Sequence, residues 1–305
     1  MQKSFFGNYA LDEAIAGFVA GATSTICLHP LEIVKIRFQI DDTAKFRRHW
    51  LSIGGTAKAL RAIARYEGLL GLYRGLSPNF AGSAASWGFY FYLYSLIKLR
   101  MAGEDKTQKL SPAQYLLASA GAGAVVALCT NPLWVVKVRM CASRRGQPDA
   151  YSGLFDGLYQ IVRYEGIRGL YKGLVPALFS ASHGALQFMA YEELKKWRSR
   201  INPDKDRNRL SNIEYILLAS SSKTFASTIT HPFQLIKARL MNQRLEKKYY
   251  GVIDTIRKTY RLEGLFGFYK GIAPAVIRVL PGTCVTFVVY ENLSAYFREH
   301  AQKST

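Results

Sequence analysis

The sequence predicts an all-α membrane protein built from three copies of one two-helix module. Three observations support this: a proline motif that occurs three times, a glycine-rich motif that occurs three times, and six long stretches almost free of charge. A helix of about 20 residues crosses the hydrocarbon core of a bilayer and satisfies its own backbone polar groups. Two such stretches in each repeat therefore predict six transmembrane helices.

The proline motif consists of a proline, a mostly apolar run, and cations five and seven positions after the proline. Its copies are spaced by 102 and 100 residues, and the prolines are Pro30, Pro132 and Pro232. A proline inside a helix removes one backbone hydrogen bond and bends the helix. We therefore expect a kink at the same place in the first helix of each repeat.

The second motif is Glu-Gly-x-x-Gly-[Leu/Phe]-Tyr-[Arg/Lys]-Gly. It recurs every 98 residues, at 67–75, 165–173 and 263–271. This period exceeds the 20–50 residues of solenoids, so we interpret the chain as a tripled module. The expected repeats are residues 1–104, 105–205 and 206–305, which together form one integral domain.

Each repeat holds two stretches with little or no charge. Residues 75–97, 113–136 and 173–191 contain no charged side chain, and residues 14–34, 215–236 and 271–290 contain one each. The predicted transmembrane helices are residues 10–40, 76–100, 112–142, 174–198, 211–243 and 272–298. The predicted surface helices, amphipathic and short, are residues 55–66, 153–164 and 251–262.

The formal net charge of +20 indicates an anionic partner, which could be nucleic acid, anionic lipid or an anionic solute. A soluble nucleic-acid binder is disfavoured by the six nearly uncharged stretches. A membrane-embedded enzyme is disfavoured because no catalytic triad, metal cluster or carboxylate pair stands out. The four cysteines form no Cys-x-x-Cys pair, so neither a zinc site nor a disulfide framework is expected.

The pattern Pro-x-[Asp/Glu]-x-x-[Lys/Arg]-x-[Lys/Arg], followed by [Asp/Glu]-Gly-x4-[aromatic]-[Lys/Arg]-Gly, resembles that of the mitochondrial carrier family. The resemblance covers essentially the whole chain. It implies a monomeric transporter, not an enzyme, with six transmembrane helices in three pseudo-threefold repeats and short amphipathic matrix helices. Such a protein would be multi-pass in the mitochondrial inner membrane, with both termini toward the intermembrane space.

Several segments are similar to those of the FAD and folate carriers of this family. Trp134 and Gln234 stand where most members have an acid, and Ser86-Trp-Gly belongs to the same branch. The resemblance implies FAD as the transported substrate rather than as a cofactor. Folate, NAD and pyrimidine nucleotides are the alternatives, and a proton-leak carrier on the same fold is a further one. Uniport, exchange, direction and proton coupling stay open.

The resemblance implies a matrix gate formed by Glu32, Lys35, Gln39, Lys137, Gln234 and Lys237. Glu32 and Lys137 would form its full ion pair, and Gln234 can offer Lys35 only a neutral hydrogen bond. Trp134 would leave a gap opposite the third lysine, while the glutamine nine positions after Pro30 would brace the network from beneath. An exposed ion pair contributes about 1 kcal/mol or less, so this gate is weak.

The resemblance also implies a cytoplasmic gate formed by Lys98, Glu192, Lys195 and Glu291. Its one complete ion pair would join Glu291 to Lys98. Two weak gates of similar strength would keep both open states populated, as alternating access requires.

Lys223 and Arg278 are cations at membrane depth outside the gate motifs. A cation at mid-helix costs about 2.5–3.5 kcal/mol on insertion scales and usually marks function. Because no acid lies at comparable depth, we expect an anionic cargo to be their counter-ion, and two cations suit a diphosphate. Further candidate cargo contacts are Ser83, Trp87, Tyr90, Trp134, Phe179 and Ser180.

Each glycine-rich motif places a cation beside the N-terminus of the helix that follows. Free backbone N–H groups and a cation together form an anion site. The resemblance implies that these sites hold cardiolipin, which would account for much of the positive charge without nucleic acid. The residues are Arg74, Gly75, Lys172, Gly173, Lys270 and Gly271.

Overall fold

The computed structural model describes residues 9–42, 53–102, 112–144, 146–147, 150–180, 182–201, 211–244 and 248–303, and these contain helices and no strands. In chain order the helices are α1 (Tyr9–Ile40), α2 (Ile53–Glu67), α3 (Leu76–Ala102), α4 (Pro112–Ala142), α5 (Leu154–Glu165), α6 (Ile167–Leu170), α7 (Leu174–Ser180), α8 (Ser182–Ile201), α9 (Asn212–Asn242), α10 (Val252–Glu263), α11 (Ile272–Ile277) and α12 (Val279–Lys303). Two 3-10 helices, Leu69–Tyr73 and Leu265–Tyr269, precede α3 and α11. The predicted all-α fold with short amphipathic helices is confirmed.

The six predicted spans correspond to α1, α3, α4, α7 with α8, α9, and α11 with α12. Within the described residues, Leu11–Ile40, Leu117–Ala142 and Leu265–His300 are long and apolar enough to cross a membrane by length and composition. The span α3 contains three Tyr and one Trp, and α9 is rich in Ser and Thr, which lowers their mean hydropathy. Residue 181, between α7 and α8, lies outside the described residues.

The long helices form a closed ring. Within the ring, α3 packs against α4, α8 packs against α9, and α12 packs against α1, so each repeat contacts the next. The three proline-containing helices α1, α4 and α9 also contact one another. They converge at the proline-motif end of the bundle, where α2, α5 and α10 lie; the other end, where α12 finishes, is called the terminal end.

The apolar core of the proline-motif end comes from equivalent positions of the three repeats. Each proline is followed, at the third and fourth positions, by two side chains with at most 3% of their surface exposed. These residues are Ile33, Val34, Val135, Val136, Leu235 and Ile236. Full burial of such a side chain contributes about 1.5–3 kcal/mol, so the proline motif also supplies the packing that holds this end together.

An arginine seven positions after each proline ties its repeat to the next one. Arg37 makes two bonds to Glu67 of its own repeat, at 2.5 and 2.7 Å, and donates from Nε to the Cys141 carbonyl at 3.0 Å. The equivalent contacts are Arg139 with Glu165 (2.5 Å) and the Met241 carbonyl (2.9 Å), and Arg239 with Glu263 (2.7 Å) and the Gln39 carbonyl (3.0 Å). Removing one partner of a buried pair costs about 3–5 kcal/mol because the other charge is left buried without a partner, so loss of any one of these side chains should be strongly destabilising.

The Glu165 carboxylate illustrates how the arginines hold their acids. Burial raises the pKa of Glu165, but hydrogen bonds from Arg139 and Lys172 outweigh burial and hold that pKa below its ordinary value. A lowered pKa means that the contribution to stability is present at neutral pH. It is lost as the pH falls through the lowered value.

A glycine in each repeat lets the backbone of the neighbouring repeat come close. Gly75, Gly173 and Gly271 have φ of 79°, 74° and 83°. A Cβ atom on these residues would lie 3.2 Å from the Lys137 carbonyl, 3.0 Å from the Lys237 carbonyl and 2.8 Å from the Lys35 carbonyl, respectively. The motif therefore needs glycine both for its left-handed backbone and for space.

We expect Gly271→Ala to destabilise the protein, because alanine is strained by about 1–2 kcal/mol in the left-handed region and its Cβ would meet the Lys35 carbonyl. The measurement is the thermal unfolding midpoint of the purified protein in detergent. Gly123→Ala is the matched control, because it lies inside α4 and a Cβ there has nothing within 4 Å. An unchanged midpoint for Gly271→Ala would contradict this account of the glycine.

Candidate functional site

Two of the contacts predicted for the matrix gate are present at the proline-motif end. Lys137 Nζ lies 3.1 Å from Glu32 Oε1, and both side chains are largely buried. Lys35 Nζ donates to Gln234 Oε1 at 3.0 Å. The first contact links α1 to α4 and the second links α1 to α9, so both hold the proline-containing helices together.

The expected gap opposite Lys237 is wrong. The indole of Trp134 fills it: Lys237 Nζ lies 5.8 Å from the ring centroid, and Lys137 Nζ lies 5.0 Å from it. A cation over an aromatic face is attracted by about 0.5–2 kcal/mol, depending on its exposure to water. Trp134 therefore replaces the missing acid with a contact to two lysines at once.

The predicted brace by Gln39 is not observed. The side chain is 3% exposed, and its Nε2 atom has no hydrogen-bond partner among the described residues. The backbone carbonyl of Gln39 does have a role, since it accepts the Nε bond of Arg239. Gln39 thus contributes to the inter-repeat ring through its backbone rather than to the gate through its amide.

Arg278 has an acidic neighbour, which corrects the expectation that no acid lies at its depth. Its guanidinium forms an ion pair with Glu32, and it is 37% exposed at the side chain. Glu32 therefore serves two cations, with Oε1 toward Lys137 and Oε2 toward Arg278. The sequence argument assigned Glu32 to the gate alone, because it could not measure how close α11 comes to α1.

Arg278 also lies at a break between α11 and α12, where an unbroken helix was predicted. Pro281 has no N–H to donate to the Ile277 carbonyl, so the hydrogen bond that would continue the helix is missing. Helical bonding resumes where the Gly282 N–H donates to the Arg278 carbonyl at 3.0 Å. Pro281 was the sequence signal that could have located this break.

The candidate site consists of two neighbouring cavities of about 260 Å³ each, here called lobes, whose linings share Glu32, Trp134 and Lys137. The arginine lobe is lined by Ser24, Thr25, Leu28, His29, Glu32, Asn79, Ser83, Trp134, Lys137 and Arg278. The gate lobe is lined by Glu32, Lys35, Ile36, Gln39, Trp134, Lys137, Val138, Ser180, His183, Gln234, Lys237, Ala238 and Met241. Together the linings contain four cationic side chains and one acid.

Lys223 lies beside this cavity rather than in its lining. It is exposed, and it lies near enough to His183, which lines the gate lobe, for its charge to act on that side chain. His183 is fixed by a 3.0 Å hydrogen bond between its Nδ1 and Thr230 Oγ1. The structure therefore places Lys223 within electrostatic reach of the cavity, through a histidine that the sequence analysis did not select.

Of the other predicted cargo contacts, Ser83 lines the arginine lobe, Ser180 lines the gate lobe, and Trp134 lines both. The remaining aromatic candidates line neither lobe. Phe179 stacks on Phe233 with ring centroids 6.0 Å apart, and Tyr90 bonds through its hydroxyl to Ser119 Oγ at 2.9 Å. Trp87 is 63% exposed and packs against Tyr90 and Phe91 of its own helix.

The four residues of the predicted cytoplasmic gate lie on α3, α8 and α12, toward the terminal end of the bundle. At this end, α1 and α12 are connected by a hydrogen bond from the Tyr290 hydroxyl to Glu13. The gate contacts that the structure shows are those at the proline-motif end.

The cations of the glycine-rich motifs turn inward, which corrects their predicted side-chain contribution to a lipid site. Lys270 is 2% exposed and bonds to Glu263 and to the Asp41 carbonyl, each at 2.8 Å. Lys172 bonds to Glu165 at 2.6 Å, and Arg74 donates to the Met140 carbonyl at 2.9 Å. These side chains join neighbouring repeats because carbonyls at the ends of α1, α4 and α9 lie within their reach.

Comparison with known proteins supports the family suggested by the repeats and the gate. The model of the mitochondrial carrier protein family matches residues 7–105, 108–202 and 208–301. This chain belongs to the mitochondrial carrier family. It is therefore a multi-pass membrane protein of a family whose members are transporters rather than enzymes.

Several curated relatives are named as transporters of a coenzyme or a vitamin. The chain is 42% identical to a chloroplastic folate transporter of Arabidopsis thaliana over 298 residues, which are 95% of this chain and 96% of the relative. It is 35% identical over 300 residues to a mitochondrial FAD carrier protein of Saccharomyces cerevisiae, with 92% and 95% of the chains covered. It is 38% identical over 293 residues to a chloroplastic nicotinamide adenine dinucleotide transporter of A. thaliana, covering 95% and 93%.

These relatives treat the nucleotide or vitamin as a solute to be carried, not as a bound cofactor. Within the described part of the chain, no three His, Cys, Asp or Glu side chains are grouped so that they could hold a metal ion. Cys141 is buried, while Cys27 and Cys129 are exposed, and none of the described cysteines forms a disulfide. The side chains that line the two lobes offer charge pairing, hydrogen bonding and ring contact.

We expect Trp134→Leu to lower the stability of the protein more than Trp134→Phe, by about 0.5–1 kcal/mol, because only phenylalanine keeps an aromatic face beneath the lysines. The measurement is chemical or thermal unfolding of the purified variants in detergent. Trp197→Leu is the control, since that side chain is 59% exposed. Equal stability of the two Trp134 variants would rule out a cation–π contribution to the gate.

Proposed function

We propose that this carrier moves an anionic solute with flat heterocyclic rings across the mitochondrial inner membrane, with FAD as the first candidate and folate as the second. NAD and pyrimidine nucleotides are the remaining alternatives. The observation that carries the proposal is the charge of the cavity, whose two lobes are lined by Lys35, Lys137, Lys237 and Arg278 against the one acid Glu32. Such an excess of positive charge at membrane depth favours an anionic cargo.

The size of the cavity supports a cargo that extends through both lobes. Each lobe, at about 260 Å³, is below the roughly 300–1,000 Å³ typical of small-molecule sites. A dinucleotide or a folate would therefore span the shared region between Glu32, Trp134 and Lys137. The indole of Trp134 borders both lobes, so it offers a ring contact at the point where the cargo passes from one lobe to the other.

In this proposal the cargo competes with Glu32 for Arg278. The guanidinium forms paired hydrogen bonds with a phosphate or carboxylate, so an anionic cargo can take the place of the Glu32 contact. Glu32 then keeps only Lys137 as its cationic partner. Cargo binding and the gate are thus coupled through one carboxylate, which is how a solute can shift the balance between the two open states.

The remaining parts of the proposal follow the family. The chain works as a monomer by alternating access, with both termini toward the intermembrane space. Lys98, Glu192, Lys195 and Glu291 would close the terminal end in the opposite state. Cardiolipin headgroups would bind at the backbone N–H groups around Gly75, Gly173 and Gly271. The cations beside these glycines form bonds within the protein, so the backbone would supply the lipid contact.

We expect liposomes containing the purified protein to take up FAD or folate, and Arg278→Gln and Lys223→Gln to reduce the initial uptake rate. Loss of one charged hydrogen bond is worth about 1.5–3 kcal/mol, so the reduction should be about tenfold or more. The measurement is uptake of labelled FAD, with unlabelled folate, NAD, UTP and CTP as competitors to rank the solutes.

Lys58→Gln is the matched control for uptake, because Lys58 is an exposed cation of α2 that lines neither lobe. Its rate should equal that of the unmodified protein, and all variants should unfold at similar temperatures. Full uptake in both the Arg278 and Lys223 variants would remove these residues from the cargo site. Failure of every solute in the panel would remove the proposed cargo class.

A further inference from the structure

The gate lobe contains three ammonium groups and few groups to accept their hydrogen bonds. Lys35, Lys137 and Lys237 all line it, and their like charges lie near enough to repel one another. The acceptors among the described residues are Glu32 for Lys137 and Gln234 for Lys35. Lys237 has only the Trp134 ring, which attracts a cation but accepts no hydrogen bond in the ordinary sense.

Several N–H donors of these three lysines are therefore available to a group bound in the lobe. Each ammonium has three N–H donors, and in the described part of the chain the hydrogen bonds of the three lysines use one donor of Lys35 and one of Lys137. The three lysines carry three positive charges, and Glu32 can neutralise at most one of them. Two positive charges therefore remain in the gate lobe, and Glu32 is also shared with Arg278. Charges held away from bulk water are stabilised when an opposite charge accepts their hydrogen bonds.

We propose that the gate lobe is an oxyanion-binding site, in which Lys35, Lys137 and Lys237 hold a phosphate, sulfate or carboxylate group. The three lysines come from α1, α4 and α9, so one bound oxyanion contacts all three repeats at once. His183 and Ser180 of the α7–α8 span complete the wall of the lobe. This deepens the proposed function, because it assigns one anionic group of the cargo to the gate itself.

The substitution of an acid by Trp134 is what makes the site available. An acid two positions after Pro132 would pair with Lys237 and neutralise it, as Glu32 does for Lys137. The indole instead leaves the charge of Lys237 in place, with Nζ 5.8 Å from the ring centroid. The site therefore depends on an aromatic residue that makes no hydrogen bond to the anion.

A bound oxyanion would also favour the state with the proline-motif end closed. In that state the three lysines converge on one lobe, whereas separating α1, α4 and α9 would pull the donors apart. A ligand stabilises the state that it binds more tightly, in proportion to the difference in affinity. The cargo would thus hold the gate until its anionic group moves away from the lysines.

The test uses the full-length protein in detergent and inorganic sulfate and pyrophosphate as probes, with sodium chloride at matched ionic strength. We expect each oxyanion to raise the thermal unfolding midpoint and to bind measurably by calorimetry. Lys237→Gln should weaken oxyanion binding by about tenfold or more, since one charged donor is lost. Lys237→Arg should retain binding, and Lys58→Gln should behave as the unmodified protein.

Trp134→Glu separates this proposal from a general loss of folding. It places an acid beside Lys237, so we expect the unfolding midpoint without ligand to stay equal or rise while the response to sulfate and pyrophosphate disappears. A response of Trp134→Glu and Lys237→Gln equal to that of the unmodified protein would overturn the proposal. So would an equal response of the unmodified protein to chloride, which would indicate screening alone.

The outcome is independent of the uptake assay. Oxyanion binding that requires Lys237 would support the gate site even if neither FAD nor folate is transported. Uptake of FAD with no dependence of oxyanion binding on Lys237 would support the proposed function and reject the gate site.

Discussion

The closed end of the bundle holds six cations of the proline motifs, three arginines and three lysines. Their positive charges have to be paired or balanced by the groups around them. The arginines of the proline motifs are the simplest case, because each of them forms an ion pair with a glutamate, Glu67, Glu165 or Glu263. The lysines two positions earlier have no such supply of acids. They share Glu32, Gln234 and the Trp134 ring, so the same motif is fully paired at one position and under-neutralised at the next. The arginine position joins neighbouring repeats, and the lysine position leaves the positive charge on which the proposed anion site rests.

The fold could be predicted almost completely from sequence, because its signals are local and occur in triplicate. The predicted helix 112–142 coincides with α4, and the other spans differ by a few residues at their ends. The exception is the break at Arg278, where a single proline, Pro281, acts in one repeat only. Periodicity revealed what the three repeats share. It was less informative about features that belong to one repeat, and these are the features that shape the cavity.

The site could be predicted in part, and the failures have one cause. The pairs Glu32–Lys137 and Lys35–Gln234 follow from the register of the repeats, so sequence sufficed. The ion pair of Glu32 with Arg278, the inward turn of Lys270 and the contact of Trp134 with two lysines depend on distances between helices. His183 was not among the residues that the sequence analysis selected for the site. Trp134 was selected as a ring for the cargo, and the structure adds a second use for the same ring, beneath the gate lysines.

The arginine ring of the proline motifs has a consequence for how many modules the protein can have. Each module contributes one donor, the guanidinium Nε, and one acceptor, a carbonyl near the end of its proline-containing helix, and the two belong to different neighbours. In a linear array, the arginine Nε of one terminal module would lack an acceptor, and the carbonyl of the other terminal module would lack a donor. Closure removes both defects: two modules form one of the three contacts, and the third module adds the other two. Because each of these hydrogen bonds joins two neighbouring modules, they favour a closed ring of three modules over a linear array.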